Sequence, residues 1–164
     1  MRGQTIARFV PCSATADDTA AIAGLHAQFF SPPWDEAAVA DLLRHPGSVA
    51  LVVRAPGSAR LLGYILGRVV SDEAEILSLG IAEEARRLGH ASGLVAQLGE
   101  GAYAMGAARL YLEVAAGNGP AIALYQRLAF KRLGVRRGYY RHPGRMAEDA
   151  LLFGRDLVSI AGVD

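Results

Sequence analysis

A single cysteine, Cys12, rules out an intramolecular disulfide framework and leaves no thiolate cluster for zinc, so no metal site is expected. No activating group neighbours it, and it reads as a small buried hydrophobe rather than a nucleophile. No apolar run approaches the roughly 18 residues that a membrane-spanning helix needs, and no leader pattern is apparent, so a soluble cytoplasmic protein without a membrane partner is expected. Neither sign of charge prevails: 17 Lys and Arg against 16 Asp and Glu leave a net +1, which does not favour nucleic acid as a partner. Internal repeats, low-complexity tracts and linkers are missing as well, so residues 1–164 read as one domain. What is present is a globular composition, 52% hydrophobic and 20% charged over 164 residues, enough to bury a sizeable core.

The chain is organised around residues 76–105. A short apolar run at 76–81 reads as a strand, and Ala91, Val95, Leu98, Ala102 and Met105 then recur at helical spacing, with Gln97 and Glu100 off the stripe. The helix is expected to begin near Arg87. Small residues in its opening turn let a ligand approach the backbone, and the first amides lack partners inside the helix, so the turn suits an anion. The same small residues also serve plain helix–strand packing. The turn is neither a Walker A loop nor Gly-x-Gly-x-x-Gly, which removes the main support for nucleotide-hydrolase and dinucleotide readings.

Around this centre the rest falls into place. Residues 6–10 suit a first strand ending at Pro11. Thr15, Asp17 and Asp18 open a helix carrying Ile22, Leu25 and Phe29, which Pro32 and Pro33 stop. His26 in that helix reads as a surface or partly packed side chain, since no second metal ligand stands near it. Asp35 and Glu36 start another helix, and Trp34 before it suits a hydrophobic staple. The runs 48–54 and 61–70, separated by a Pro-Gly-Ser turn, form a hairpin, and strand 76–81 completes a meander. Gly106 ends the long helix, and 109–114 is a strand that can lie parallel to 76–81. Asn118 caps and Pro120 begins a helix whose inner face carries Ala121, Leu124, Tyr125 and Leu128. Residues 131–135 and 148–153 are strands, and 158–164 a frayed tail. Read from the residues alone, Glu113 faces solvent on a pleat, Tyr125 belongs to the core, and Tyr139 and Tyr140 pack over a sheet edge. Arg136, Arg137 and Arg141 read as a solvated charged face.

Arg86-x-x-Gly89-x-Ala91 after an apolar strand resembles the acetyl-coenzyme A signature of the GNAT acetyltransferase superfamily. Leu-Glu-Val at 112–114, the run from Asn118 through Ala-Leu-Tyr at 123–125 to Phe130, and Arg-Arg-Gly-Tyr-Tyr at 136–140 are similar to the RimI family, ribosomal-protein alanine N-acetyltransferases. The likeness covers roughly residues 33–157 and is dense from 72 onward.

The resemblance implies an α/β (α+β) GNAT fold: a mixed, mostly antiparallel sheet of about six to seven strands with about four helices. It also implies that the two parallel central strands splay, with the thioester end of acetyl-CoA in the opening. In that fold Leu79, Gly80 and Ile81 offer strand amides, and Arg86, Arg87, Leu88, Gly89, His90, Ala91 and Ser92 form the diphosphate turn. Asn118 touches the cofactor. Glu113 becomes the general base that takes a proton from the acceptor amine, and Tyr125 the general acid that protonates the departing thiolate. Trp34, Tyr139 and Tyr140 border the acceptor peptide. The implied activity is direct acetyl transfer from acetyl-CoA to a protein N-terminus, an alanine of a small-subunit ribosomal protein, with no acyl-enzyme. A small amine or lysine acceptor, and a non-catalytic acyl-CoA sensor, are the alternatives. The sequence departs from the family at Ala115, commonly arginine, at Ala129, commonly glycine, and at His90, commonly apolar and here expected to face solvent.

Overall fold

The computed structural model describes residues 10–141 and 143–158. The expected strand at 6–10 and most of the expected tail lie outside the described residues, although Val10 and Val158 are described and exposed. The chain begins its sheet with β1 (Cys12–Ser13), then follows a 3-10 turn into α1 (Thr19–His26) and α2 (Glu36–Arg44). A meander comes next: β2 (Ser48–Arg54), β3 (Leu61–Val70) and β4 (Glu73–Ile81). The long helix α3 (His90–Ala104), β5 (Arg109–Ala115), α4 (Gly119–Arg127), β6 (Lys131–Tyr140) and β7 (Glu148–Asp156) complete it. The seven strands form one sheet in the order β1-β2-β3-β4-β5-β7-β6, antiparallel throughout except for the parallel pair β4–β5. This is the α+β architecture that the resemblance implies.

The apolar run of β3 is buried on both faces, and its alternation explains the layering. Gly63 and Gly67 lie under Leu94 and Leu98 of α3, whereas Tyr64 points to the other face, where α1 packs. The helices carry the expected punctuation. Asp35 caps α2 by accepting the Ala38 amide at 2.8 Å, and Asn118 caps α4 by accepting the Ala121 amide at 3.2 Å. Asp18 is buried and pairs with Arg54 at 2.7 Å, tying the start of α1 to β2.

Several boundaries move: α1 ends at His26, so Phe29 lies beyond it, β4 starts at Glu73 rather than 76, and β7 runs to Asp156 rather than 153. Helix α3 starts at His90 rather than near Arg87, because Arg87 (φ 61°) and Gly89 (φ 84°) both adopt left-handed backbone. Strand β6 continues to Tyr140 instead of stopping at 135. Its register against β7 shifts between Arg136 and Tyr140, where Gly138 turns left-handed and donates its amide to Asp149 Oδ1 at 2.8 Å. Cys12 is exposed, because the short edge strand β1 leaves its side chains outside the core.

Candidate active site

The site is created where β4 leaves β5. Their parallel register runs from Glu73↔Arg109 to Ile76↔Leu112 and stops. At that point β4 slips one residue against β3, from Ile76↔Gly67 to Ser78↔Leu66, which leaves Leu77 as a bulge. A bulge bends and twists its strand. Beyond it β4 stays paired to β3, while Glu113, Val114 and Ala115 of β5 stay paired to β7. Residues 77–81 thus present an edge with no strand partner among the described residues, and the expected splay is present.

Two packing features fix the new direction of β4. The Tyr64 hydroxyl and Ser78 Oγ lie 2.9 Å apart in the core, and burial pushes the Tyr64 phenol up to about 12, so it stays neutral. Gly80 is needed opposite Tyr64, because a Cβ there would stand 2.6 Å from the Tyr64 ring and 3.1 Å from Phe29. Leu79, Gly80 and Ile81 therefore form the free rim as expected.

The rim leads into the turn 86–92. Arg87 and Gly89 in left-handed backbone curl it, and a positive φ at a non-glycine residue is costly enough to suggest a function. The amides of Ala91 and Ser92 have no acceptor within the helix, and the positive end of α3 lies there. A Cβ on Gly89 or Gly93 would meet nothing within 4 Å, so the approach to this end is open. Leu88 is exposed on the same turn. Arg86 is exposed, yet its Nε donates to the Ile81 carbonyl at 3.3 Å and its guanidinium lies 5.2 Å from the Phe29 ring centre. His90 is buried, not solvent-facing, because the first turn of α3 packs its side chain inward, and burial lowers its pKa. The turn and rim together fit a long ligand with an anionic end.

Glu113 follows the last parallel pair on β5, and Tyr125 lies on α4, the element after β5. Glu113 is not a solvated surface acid: it accepts from Arg136 at 2.8 Å, and only a fifth of its side chain is exposed. Arg136, read from sequence as part of a charged face, also lies over the Tyr139 ring at 4.2 Å. No spacing signal announces this pair, since it forms diagonally across β7: Glu113 pairs with Leu152, and Arg136 with Ala150. Tyr125 is buried on α4, edge-on to Phe130 at 5.5 Å, and no described residue hydrogen-bonds its hydroxyl. Burial pushes its phenol up to about 12, with the nearby Tyr140 adding to the effect. Tyr140 is itself raised, first by burial and then by the negative charge of Glu113. Tyr140 thus feels the charge of Glu113 and in turn acts on Tyr125. Tyr139 is half exposed and packs edge-on against Tyr140 at 5.2 Å.

Trp34 lies on the α1–α2 connection, in a cluster that the sequence did not reveal. His26, expected at or near the surface, is 3% exposed because Phe30 and Trp34 cover its ring on both sides. Asn118 is placed as the α4 cap at the end of the β5 loop, where Gly117 donates to Glu148 at 2.6 Å. A cavity of about 860 Å³ lies elsewhere, between α3 and β5, β7 and β6, and contains neither Glu113 nor Tyr125. Among the described residues no group of His, Cys, Asp and Glu side chains suits a metal ion, and no helix is long and apolar enough to cross a membrane.

Comparison with known proteins agrees with this geometry. The profile of the Acetyltransferase (GNAT) family matches residues 19–130. The chain is 32% identical over 121 residues to the [ribosomal protein bS18]-alanine N-acetyltransferase of Escherichia coli, covering 73% of this chain and 78% of that one. It is 34% identical over 148 residues to the N-alpha-acetyltransferase RimI of Mycobacterium tuberculosis, covering 87% and 89%. The crystal structure of the ribosomal-protein-S18-alanine N-acetyltransferase from Escherichia coli superposes with a TM-score of 0.81 at 25% identity, over 94% of this chain and 98% of that one. With a splayed parallel pair, an open amide-lined turn and these relatives, the chain belongs to the GNAT acetyltransferase family and is an acetyl-CoA-dependent N-acetyltransferase related to the RimI-type N-alpha-acetyltransferases.

Proposed function

We propose that the chain, acting as one domain, acetylates the α-amino group of a protein N-terminus, with the alanine of a small-subunit ribosomal protein as its acceptor. The observation that carries this reading is the end of the β4–β5 pairing at Ile76↔Leu112, with Glu113 the next residue of β5; the electrostatic influence of Glu113 on Tyr140 and of Tyr140 on Tyr125 supports it. Two RimI-type relatives that act on N-termini support the acceptor class. A cytoplasmic setting goes with such a donor and acceptor.

Acetyl-CoA supplies an activated acetyl thioester. The rim at Leu79, Gly80 and Ile81 aligns the pantetheine arm by strand-like hydrogen bonds, and one of its amides faces the thioester oxygen. Arg86 opens the turn, and Arg87, Leu88, Gly89, His90, Ala91 and Ser92 hold the diphosphate through backbone donors. Arg86 itself gives neither group to the ligand, because its amide donates to the Glu83 carbonyl at 3.3 Å and its side chain is engaged with Ile81 and Phe29. Asn118 contacts the cofactor while capping α4.

An N-terminal amine has a reference pKa near 8 and is mostly protonated at neutral pH, so it must lose a proton before it attacks. Glu113 takes that proton, directly or through one water, and the incoming ammonium competes with Arg136 for its carboxylate. Tyr125, neutral because its phenol is pushed up to about 12, gives its proton to the leaving sulfur. Trp34, Tyr139 and Tyr140 wall the acceptor's first residues. Holding amine and thioester together makes the attack effectively unimolecular, and no covalent enzyme intermediate is used.

The test offers acetyl-CoA with two hexapeptides, one beginning with a free alanine and one with a blocked N-terminus and an internal lysine. Mass spectrometry is expected to find acetyl on the first peptide only. Modification of the lysine alone, or transfer to a small amine but to neither peptide, contradicts the reading.

A further inference from the structure

We infer that His26 is a positioning residue for the acceptor wall: its imidazole clamps Trp34 by one hydrogen bond and one stacked face, fixing the α1–α2 connection in a single arrangement. The inference rests on the reading that Trp34 borders the acceptor.

Four observations support it. First, His26 Nδ1 accepts the Trp34 amide at 3.2 Å, across eight residues of chain. Among the described residues this is the only hydrogen bond made by residues 31–34, a segment whose Pro32 and Pro33 have no amide to give. Second, the imidazole is the middle layer of a stack. Phe30 lies at 4.4 Å and 25° on one side, Trp34 at 4.6 Å and 14° on the other. Third, the stack is anchored to the sheet. The His26 ring is 6.5 Å from the Tyr64 ring, and the Tyr64 hydroxyl is fixed on Ser78 at the point where β4 leaves β5. Fourth, the clamp demands a neutral imidazole with its proton on Nε2, because Nδ1 acts as acceptor. Burial favours that form, and the titratable ring facing it from β3, Tyr64, is neutral as well.

Two substitutions separate the clamp's parts. His26→Asn keeps an acceptor near the place of Nδ1 and loses the stacked ring. His26→Phe keeps the ring and loses the acceptor. Each is expected to raise KM for an alanine-initiated hexapeptide by several-fold to tenfold, in line with the loss of one hydrogen bond or stacked face. The kcat at saturation and KM for acetyl-CoA should stay within about twofold. A merely structural defect would move all three. Trp34 is the sole tryptophan of the chain, so its fluorescence reads the clamp without any turnover. Emission in both variants should shift to the red and become more open to acrylamide quenching, with far-UV circular dichroism unchanged.

The inference is overturned if both variants keep the wild-type peptide KM and the wild-type emission, or if kcat and KM for acetyl-CoA change as much as the peptide KM. If wild-type protein modifies no N-terminal peptide, the acceptor reading fails separately, and the fluorescence alone decides the clamp. If neither variant folds, quenching of wild-type Trp34 decides: protection supports the clamp, and free access of acrylamide overturns it.

Discussion

Gly80 owes its identity to two rings. Tyr64 and Phe29 occupy the space a Cβ would need, and one of them must move if it is added. Gly80→Ala is expected to lower stability by about 1–3 kcal/mol, the usual cost of overpacking, and to shift the urea midpoint accordingly; an unchanged midpoint contradicts the packing described. The buried histidines set a second expectation. Burial lowers the pKa of both His26 and His90 from 6.5, so the unfolded chain takes up protons first as pH falls. Their contribution to stability is complete above pH 6.5 and is lost on going below it, until the folded-state values are passed. Asp18 acts in the same direction at lower pH. Burial raises its pKa, but the Thr15 amide and Arg54 outweigh that and hold it below 3.8. Urea midpoints should therefore fall between about pH 7.5 and about pH 5.5, and His26→Asn should flatten that fall. A slope that is equal in both proteins excludes His26 as a contributor. Both histidines and Cys12 were misread from sequence for one reason. Burial of a single polar side chain depends on what other elements lay over it, and helical or strand spacing carries no record of that.

At the level of elements, much was legible. The hairpin at 48–54 and 61–70 coincides with β2 and β3 because long apolar runs broken by Pro-Gly-Ser leave little choice. Asn118 caps α4 as read, since a cap needs only its own first turn, and Asp35, read as an acid at the start of α2, is its cap. What the sequence did not carry was bending imposed from outside. The bulge at Leu77 and the break at Gly138 answer to β3 and to Asp149, distant in the chain. The Arg136–Glu113 pair forms only because two non-adjacent strands share β7 as a neighbour. The start of α3 is a similar case: the helix is expected from near Arg87, yet the left-handed residues Arg87 and Gly89 delay it to His90. Gly89→Ala, at φ 84°, forces a side chain into that backbone at a cost of about 1 kcal/mol. Calorimetry is expected to find acetyl-CoA bound severalfold more weakly, whereas unchanged affinity contradicts the role given to the turn.

Across the whole molecule, the fold makes one opening and assigns its two sides to different tasks. In the proposed reading the β4 rim and the mouth of α3 hold the donor, and β5, α4 and β6 supply Glu113, Tyr125, Tyr139 and Tyr140 on the acceptor side. The proposed donor side is legible as a sequence motif, because its residues belong to one contiguous stretch. The acceptor side is drawn from four separate pieces of chain, the α1–α2 connection, β5, α4 and β6, and there only the resemblance pointed to Glu113 and Tyr125. The most direct measurement is the steady-state rate of N-terminal acetylation by wild-type protein, Glu113→Gln and Tyr125→Phe, with acetyl-CoA affinity measured alongside. General acid and base groups contribute about a hundredfold or more each, so both variants should lose at least that in kcat while binding acetyl-CoA within about twofold of wild type. Wild-type turnover by both variants would contradict the account.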